Sequence, residues 1–291
     1  MNNYVITCTS ACDLNKDILN KKNIKYACLK MIVNGQTYND DFFSNYDYSK
    51  FYDDISNGMM PTTSQVGYGD YIELFEPILK DNDIIHICIS SGLSGDYSTA
   101  KLVADELNEK SQHKITVIDS LGASSGYGML VLLANDNKEN GMSYDENIIW
   151  LENIKHKIHH WFISTDLTSY IRGGRISKTE GFVGTALKIC PLMNMDSNGT
   201  LKPVEKIRTF TKASKSLVDK MIDLCDKGLD YSGYCMISCS NCDEQANNVA
   251  NLIKTNFANI KDVPIYHVGT TIGSHTGPGT IALYFIGKNE R

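Results

Sequence analysis

The chain lacks any apolar run near the roughly 20 residues that a membrane-crossing helix requires; the longest approaches, 127–134 and 281–286, stop well short. It also lacks a basic excess. With 28 Lys and Arg against 34 Asp and Glu, and a net charge of -6, it offers no field to attract a polyanion, and a nucleic-acid partner is excluded on that ground. It has no GxxxxGK[ST] loop, no complete GxGxxG, no HExxH pair and no kinase catalytic-loop set, so ATP and dinucleotides have no recognised seat. Repeats and low-complexity tracts are missing too. The N-terminus enters a strand-like run at Tyr4-Val5-Ile6 without the basic segment and apolar core of a secretory signal, and a cytoplasmic location is expected.

The nine cysteines are odd in number, so disulfides alone cannot account for them, and several sit in apolar runs where a reduced thiol acts as a small hydrophobe. Cys239-Ser240-Asn241-Cys242 has CxxC spacing. No second CxxC and no nearby His completes four zinc ligands, which leaves a redox pair opening a helix at Asp243 beside the plainer reading of a strand end. No metal and no cofactor is expected.

What is present is 291 residues, 42% of them hydrophobic, enough for one large or two ordinary domains. Short apolar runs at 4–8, 27–33, 83–89 and 114–119 alternate with helical patterns at 13–20, 49–57, 67–79, 98–108, 125–135 and 143–158. This predicts a Rossmann-like α/β domain with a parallel sheet. Beyond it, strands are predicted at 160–166, 190–195, 200–208, 234–239, 265–268 and 280–286, the last two as a pair. The helices fall at 214–227 and 243–257, with a short one leading to Arg172. The Asn198-Gly199 turn marks a hairpin. The second half is therefore expected to be an α+β domain with a mixed sheet, giving domains 1–155 and 156–291.

Candidate chemistry collects in glycine-containing polar clusters beside predicted strands. Ser90-Ser91-Gly92-Leu93-Ser94-Gly95 joins a buried strand to a helix, where unpaired N–H groups and the hydroxyls of Ser91 and Ser94 suit a small anionic head such as carboxylate. The plainer reading is a helix cap. Thr62-Thr63-Ser64-Gln65 repeats the arrangement. Gly122-Ala123-Ser124-Ser125-Gly126 matches GxSxG, so a serine hydrolase with Ser124 as nucleophile and His267 or His275 as base is the alternative reading, although Ser124 stands five residues beyond Asp119 rather than on a sharp turn. His275, bracketed by hydroxyls and glycines before a buried strand, is a candidate ligand-facing group. Arg172, Arg175 and Arg208 are candidate holds for carboxylate or phosphate.

At these residues the chain resembles the bacterial DegV family. The resemblance runs nearly end to end, through Ser10-Ala11-Cys12-Asp13-Leu14, Pro61-Thr62-Thr63-Ser64-Gln65, Ser90 to Tyr97, Asp119-Ser120 with Ser125-Gly126-Tyr127-Gly128, Arg172 to Ser177, Lys206-Ile207-Arg208-Thr209, and His275 to Gly279. It implies a long-chain fatty acid, such as palmitate, stearate or oleate, held between two α/β domains, with the acyl chain in an apolar tunnel of the N-terminal domain. It further implies a non-catalytic carrier that presents the carboxylate to a separate ATP-binding fatty acid kinase subunit; a lipid sensor or store without that partner is the duller variant. The implied head-group residues are Thr63 and Ser94, with Thr62, Ser64 and Ser91 beside them and His275 from the other domain. Arg172, Arg175 and Arg208 would serve partner docking or phosphate contact. One departure is visible: Thr9-Ser10 stands where the family usually has Asp-Ser.

Overall fold

The computed structural model describes residues 4–177 and 189–291. The first half runs β1 (Tyr4–Thr9), α1 (Lys16–Lys21), β2 (Lys25–Ala27), β3 (Lys30–Val33), β4 (Gln36–Asn39), α2 (Tyr48–Ser56) and β5 (Thr62–Ser64). It continues through α3 (Tyr68–Leu79), β6 (Asp83–Cys88), α4 (Asp96–Asn108), β7 (Ile115–Asp119), α5 (Ser124–Glu139) and α6 (Tyr144–Ile154). Four strands make a wholly parallel sheet in the order β2-β1-β6-β7. Helices cover both faces of such a sheet, which is why β6 reads as the near-continuous apolar run Asp-Ile-Ile-His-Ile-Cys. Its one interior polar group, His86, is held neutral, its pKa pushed down to about 3 by burial, and its Nδ1 lies 2.8 Å from the Thr7 hydroxyl.

The run 27–33 is two strands rather than one. The chain bends at Leu29, whose N–H donates to the Ser10 hydroxyl (3.0 Å) and whose carbonyl accepts from the Asp40 N–H (2.8 Å). β3 then leaves the parallel sheet for a small antiparallel one ordered β4-β3-β5. Asn34 and Gly35 both take positive φ, +50° and +77°, as a two-residue hairpin turn requires.

The second half contains β8 (Ile158–Ser164), α7 (Thr168–Arg172), β9 (Ile189–Met195), β10 (Leu201–Arg208), α8 (Phe210–Leu224), β11 (Cys235–Cys239), α9 (Asp243–Asn256), β12 (Ile265–His267), α10 (Thr270–Thr276) and β13 (Thr280–Ile286). Its mixed sheet is ordered β10-β9-β8-β13-β11-β12, with β11 and β12 parallel and the other neighbours antiparallel. The strands expected to pair with each other, 265–268 and 280–286, are instead separated by β11. The segment between them, a glycine-containing polar cluster in the sequence, forms α10.

Both faces of this sheet are buried, and they divide by the strand period of two. Ile281, Leu283 and Phe285 join the core beneath α8 and α9, whereas Ala282 and Tyr284 join the core shared with the first half. Between the two sheets lies α5, buried on all sides from Ser124 to Asn135, as expected of a helix without a polar face. Its glycines permit that closeness. A Cβ on Gly126 would lie 2.4 Å from His160 and Tyr284, and one on Gly128 would lie 2.6 Å from the Cys12 carbonyl oxygen. Among the described residues no helix is long and apolar enough to cross a membrane.

Candidate functional site

In an open parallel sheet, ligands settle beyond the carboxyl ends of the strands. A mostly apolar cavity of about 330 Å³ opens there. The turn after β6 contributes Ile89, Leu93 and Ser94, and β5 contributes Thr63 and Ser64. The second half supplies the facing wall: His160 and Phe162 from β8, Thr280, Ala282 and Tyr284 from β13, and His275 from α10. The resemblance placed the tunnel inside the first half. The cavity draws its walls from both halves, because the even-numbered faces of β8 and β13 point across the interface.

Thr63, Ser64, Ser94, Arg175 and His275 all line the cavity. Thr62 is exposed on the other side of β5, since neighbouring strand residues point to opposite faces. Ser91 is also exposed, and its backbone N–H donates to Asp119 (3.1 Å). Arg172 is exposed and donates to the Ser274 carbonyl (3.4 Å), while Arg208 is exposed opposite Ile189 at the end of β10. Neither of these arginines reaches the cavity wall.

The hydrogen bonds of the lining hydroxyls decide what each can offer. His275 Nε2 lies 2.8 Å from Thr63 Oγ1, and its Nδ1 is buried with no hydrogen-bond partner among the described residues. Burial first, then Arg175 and Arg172, lower the ring's pKa to about 4, so it is neutral near pH 7. A buried N–H without an acceptor costs more than a bare lone pair. The favoured tautomer therefore carries its proton on Nε2 and donates to Thr63, which frees the Thr63 proton for another acceptor. Ser94 is arranged in the same sense: its oxygen accepts from the Asp96 N–H (3.2 Å), leaving its proton free among the described residues. Ser94 precedes Gly95, the N-cap of α4, and its one hydroxyl both accepts from the first helical N–H and faces the cavity. Ser64 differs, because its proton is directed to the Gln65 carbonyl (3.4 Å). Arg175 closes the rim, donating through Nε to the Leu93 carbonyl (3.1 Å) and so joining α7 to the β6–α4 turn.

α10, which positions His275, is anchored by acids of the first half. Asp40 accepts from the Thr270 N–H (3.1 Å) and hydroxyl (2.9 Å), and Asp13 accepts from the Gly269 N–H (2.9 Å). Burial raises both carboxyls, Asp13 well above the usual range because Asp40 stands beside it as well. Thr9 is buried, its N–H donating to the Tyr127 hydroxyl (2.8 Å). Asp40 and its role were not found from sequence.

The hydrolase alternative needs a histidine on Ser124. His267 pairs with Asp243 and His275 with Thr63, and the Ser124 hydroxyl donates to Asp13 and lies 3.0 Å from Ser238 Oγ. The glycines of its GxSxG match serve close packing against His160, which a Cβ on Gly122 would meet at 2.8 Å. Sequence reading also missed His160, Phe162, Ala282 and Tyr284. Their signal was present as alternate positions on two predicted strands.

Comparison with known proteins places these features in a lineage. The profile of the DegV family, described as uncharacterised proteins, matches residues 3–288. A DegV domain-containing protein of Clostridium perfringens is 34% identical over 292 residues, spanning 100% of this chain and 99% of that protein. The crystal structure of DegV, a fatty acid binding protein from Bacillus subtilis, superposes with a TM-score of 0.86 at 26% identity, covering 99% of this chain and 100% of that one. A DegV family protein from Thermus thermophilus superposes at 0.88 with 24% identity, covering 98% and 99%, and shares the fold.

Proposed function

The chain belongs to the DegV family, and from that membership we propose that it carries a long-chain fatty acid in the cavity between its halves, carboxylate toward Thr63, Ser94 and His275. One observation carries the reading: two hydroxyls enter an apolar cavity with their acceptor sides engaged and their protons free. Two neutral donors suit a carboxylate, with Arg175, whose guanidinium is engaged by the Leu93 and Gly173 carbonyls, at the rim as the nearby positive charge. The apolar walls suit the hydrocarbon, at about 0.8 kcal/mol per buried CH₂. The volume lies at the lower end of the roughly 300–1,000 Å³ usual for ligand sites. The fatty acid bound by the Bacillus subtilis relative supports the same ligand class.

The reading extends to phosphoryl transfer. A carboxylate held by neutral hydroxyls keeps a nucleophilic oxygen, and a separate ATP-binding kinase subunit would convert it to an acyl phosphate. The absence of nucleotide motifs from this chain is in keeping with that division of labour, and exposed Arg172 and Arg208 are available for docking.

Solvent extraction of freshly purified protein followed by mass spectrometry tests the ligand. A stoichiometric fatty acid is expected; its absence, together with no thermal shift on adding palmitate or oleate, would sink the proposal. Thr63→Ala and Ser94→Ala should each weaken binding by roughly 0.5–1.5 kcal/mol, and Ser64→Ala by less, its proton being already committed. Phosphoryl transfer with the kinase subunit should fall in the first two variants. A pull-down from the host that recovers no kinase would leave a lipid store or sensor.

A further inference from the structure

The CxxC segment, which sequence reading left without a histidine, acquires one through strand register. β11 and β12 run parallel with Cys239 opposite His267, and α9 begins at Asp243, one turn beyond. The Cys239 thiol lies 3.8 Å from Asp243 Oδ1, and His267 Nε2 lies 2.7 Å from the same oxygen. The three donor atoms all fall within 4.8 Å of one another. Tyr48 of α2 fixes the setting: its ring stacks on His267 at 4.1 Å and 15°, and its hydroxyl accepts from the Asn241 N–H (2.6 Å).

Two chemistries use such residues. In a nucleophilic thiol relay the imidazole stands between thiol and carboxylate; here the carboxylate oxygen touches both, and the imidazole is the outer member. Convergence of sulfur, nitrogen and oxygen on one point is the geometry of coordination. Tetrahedral zinc, with bonds of 2.0–2.3 Å, sets its donors about 3.3–3.8 Å apart, so adjustments of about 1 Å or less separate the present arrangement from a zinc shell. Cys239 is buried, whereas Asp243 and His267 are exposed, and His267 also borders a solvent-open cleft shared with Asp13 and Phe43. An ion can arrive from that side, and water can fill the fourth position.

We propose that Cys239, Asp243 and His267, none of which lines the cavity between the halves, form a binding site for Zn²⁺ or a similar thiophilic divalent cation. On binding, the Cys239 thiol gives its proton to solvent and its sulfur to the metal. His267 ligates through the Nε2 lone pair, the ring proton then residing on Nδ1. The thiol proton is released to solvent, and no electron is transferred.

Cobalt provides the readout. Full-length, reduced, metal-free protein titrated with Co²⁺ should bind one ion, develop a near-ultraviolet sulfur-to-cobalt charge-transfer band, and lose that band on adding one equivalent of Zn²⁺. Cys239→Ser should abolish the band, and His267→Gln should weaken Co²⁺ and Zn²⁺ binding at least tenfold. Cys28→Ser, at the half-exposed thiol elsewhere, should change neither. Because Cys239 is buried and its variant can lose the fold, the exposed His267→Gln keeps the test decisive. No charge-transfer band in the parent, or affinity unchanged in folded His267→Gln, overturns the proposal.

Discussion

At the scale of single residues, His275 ties the stability of the fold to pH. Its pKa is held at about 4 in the fold and returns to about 6.5 in the unfolded chain. The unfolded state therefore binds more protons between these values, and the ring's contribution to stability, complete above about pH 6.5, is lost as pH falls toward 4. Urea unfolding should show the parent losing about 3 kcal/mol more between pH 7 and pH 4 than His275→Gln; parallel profiles would contradict a buried neutral ring. Gly173 supplies a steric test of the same ring. A Cβ there would lie 2.2 Å from His275 Nδ1, so Gly173→Ala should push the imidazole off Thr63 and weaken fatty acid binding about as much as Thr63→Ala, roughly 0.5–1.5 kcal/mol, by calorimetry. Thr63, Ser94 and His275, picked out in sequence as hydroxyls and a histidine among glycines beside predicted strands, do line one cavity. Which hydroxyls face inward was not legible in sequence, since Thr62 and Thr63 differ only in the pleat.

Among elements, the parallel strands and long helices were plain from their periodicity, and the small sheet was not. β4 is polar and largely exposed, so it carries no apolar alternation, and the hairpin signal Asn34-Gly35 before it went unread. α10 was hidden by Gly269, Gly273, Gly277 and Gly279, residues that ordinarily argue against helix. Gly273 is there because Tyr52 and Phe51 press against it, a Cβ falling 2.6 Å from the Tyr52 hydroxyl. The helix is held by partners distant in sequence, which periodicity cannot display. Asp40→Ala would strip the Thr270 donors of their acceptor and should cost about 1–3 kcal/mol in chemical unfolding, with weaker fatty acid binding because His275 rides on the same helix. On α5, Gly126→Ala forces a methyl against His160 and Tyr284 and should cost about 1–3 kcal/mol, read as a lower midpoint of thermal unfolding.

On the scale of the molecule, each large sheet is built from its own stretch of chain, 4–119 and 158–286, and the cavity exists only where the two face each other. A ligand spanning that interface stabilises the assembled form and not the unfolded chain. At a free concentration one hundred times its Kd, a fatty acid should add about 2.7 kcal/mol, which calorimetry of delipidated and reloaded protein should record as a rise of several degrees. A null shift with demonstrated binding would mean that the unfolded chain binds the fatty acid as well as the folded one does.

The order of strands in the second sheet has a consequence for biosynthesis. β13 follows every other strand of that sheet in sequence, yet it lies between β8 and β11. While the chain is still being made, β10-β9-β8 and β11-β12 are two fragments with unpaired edges and no common neighbour. The first sheet, complete by residue 119, can form on the ribosome. The wall carrying Thr280, Ala282 and Tyr284 cannot, so the cavity is assembled only after translation has passed the final strand.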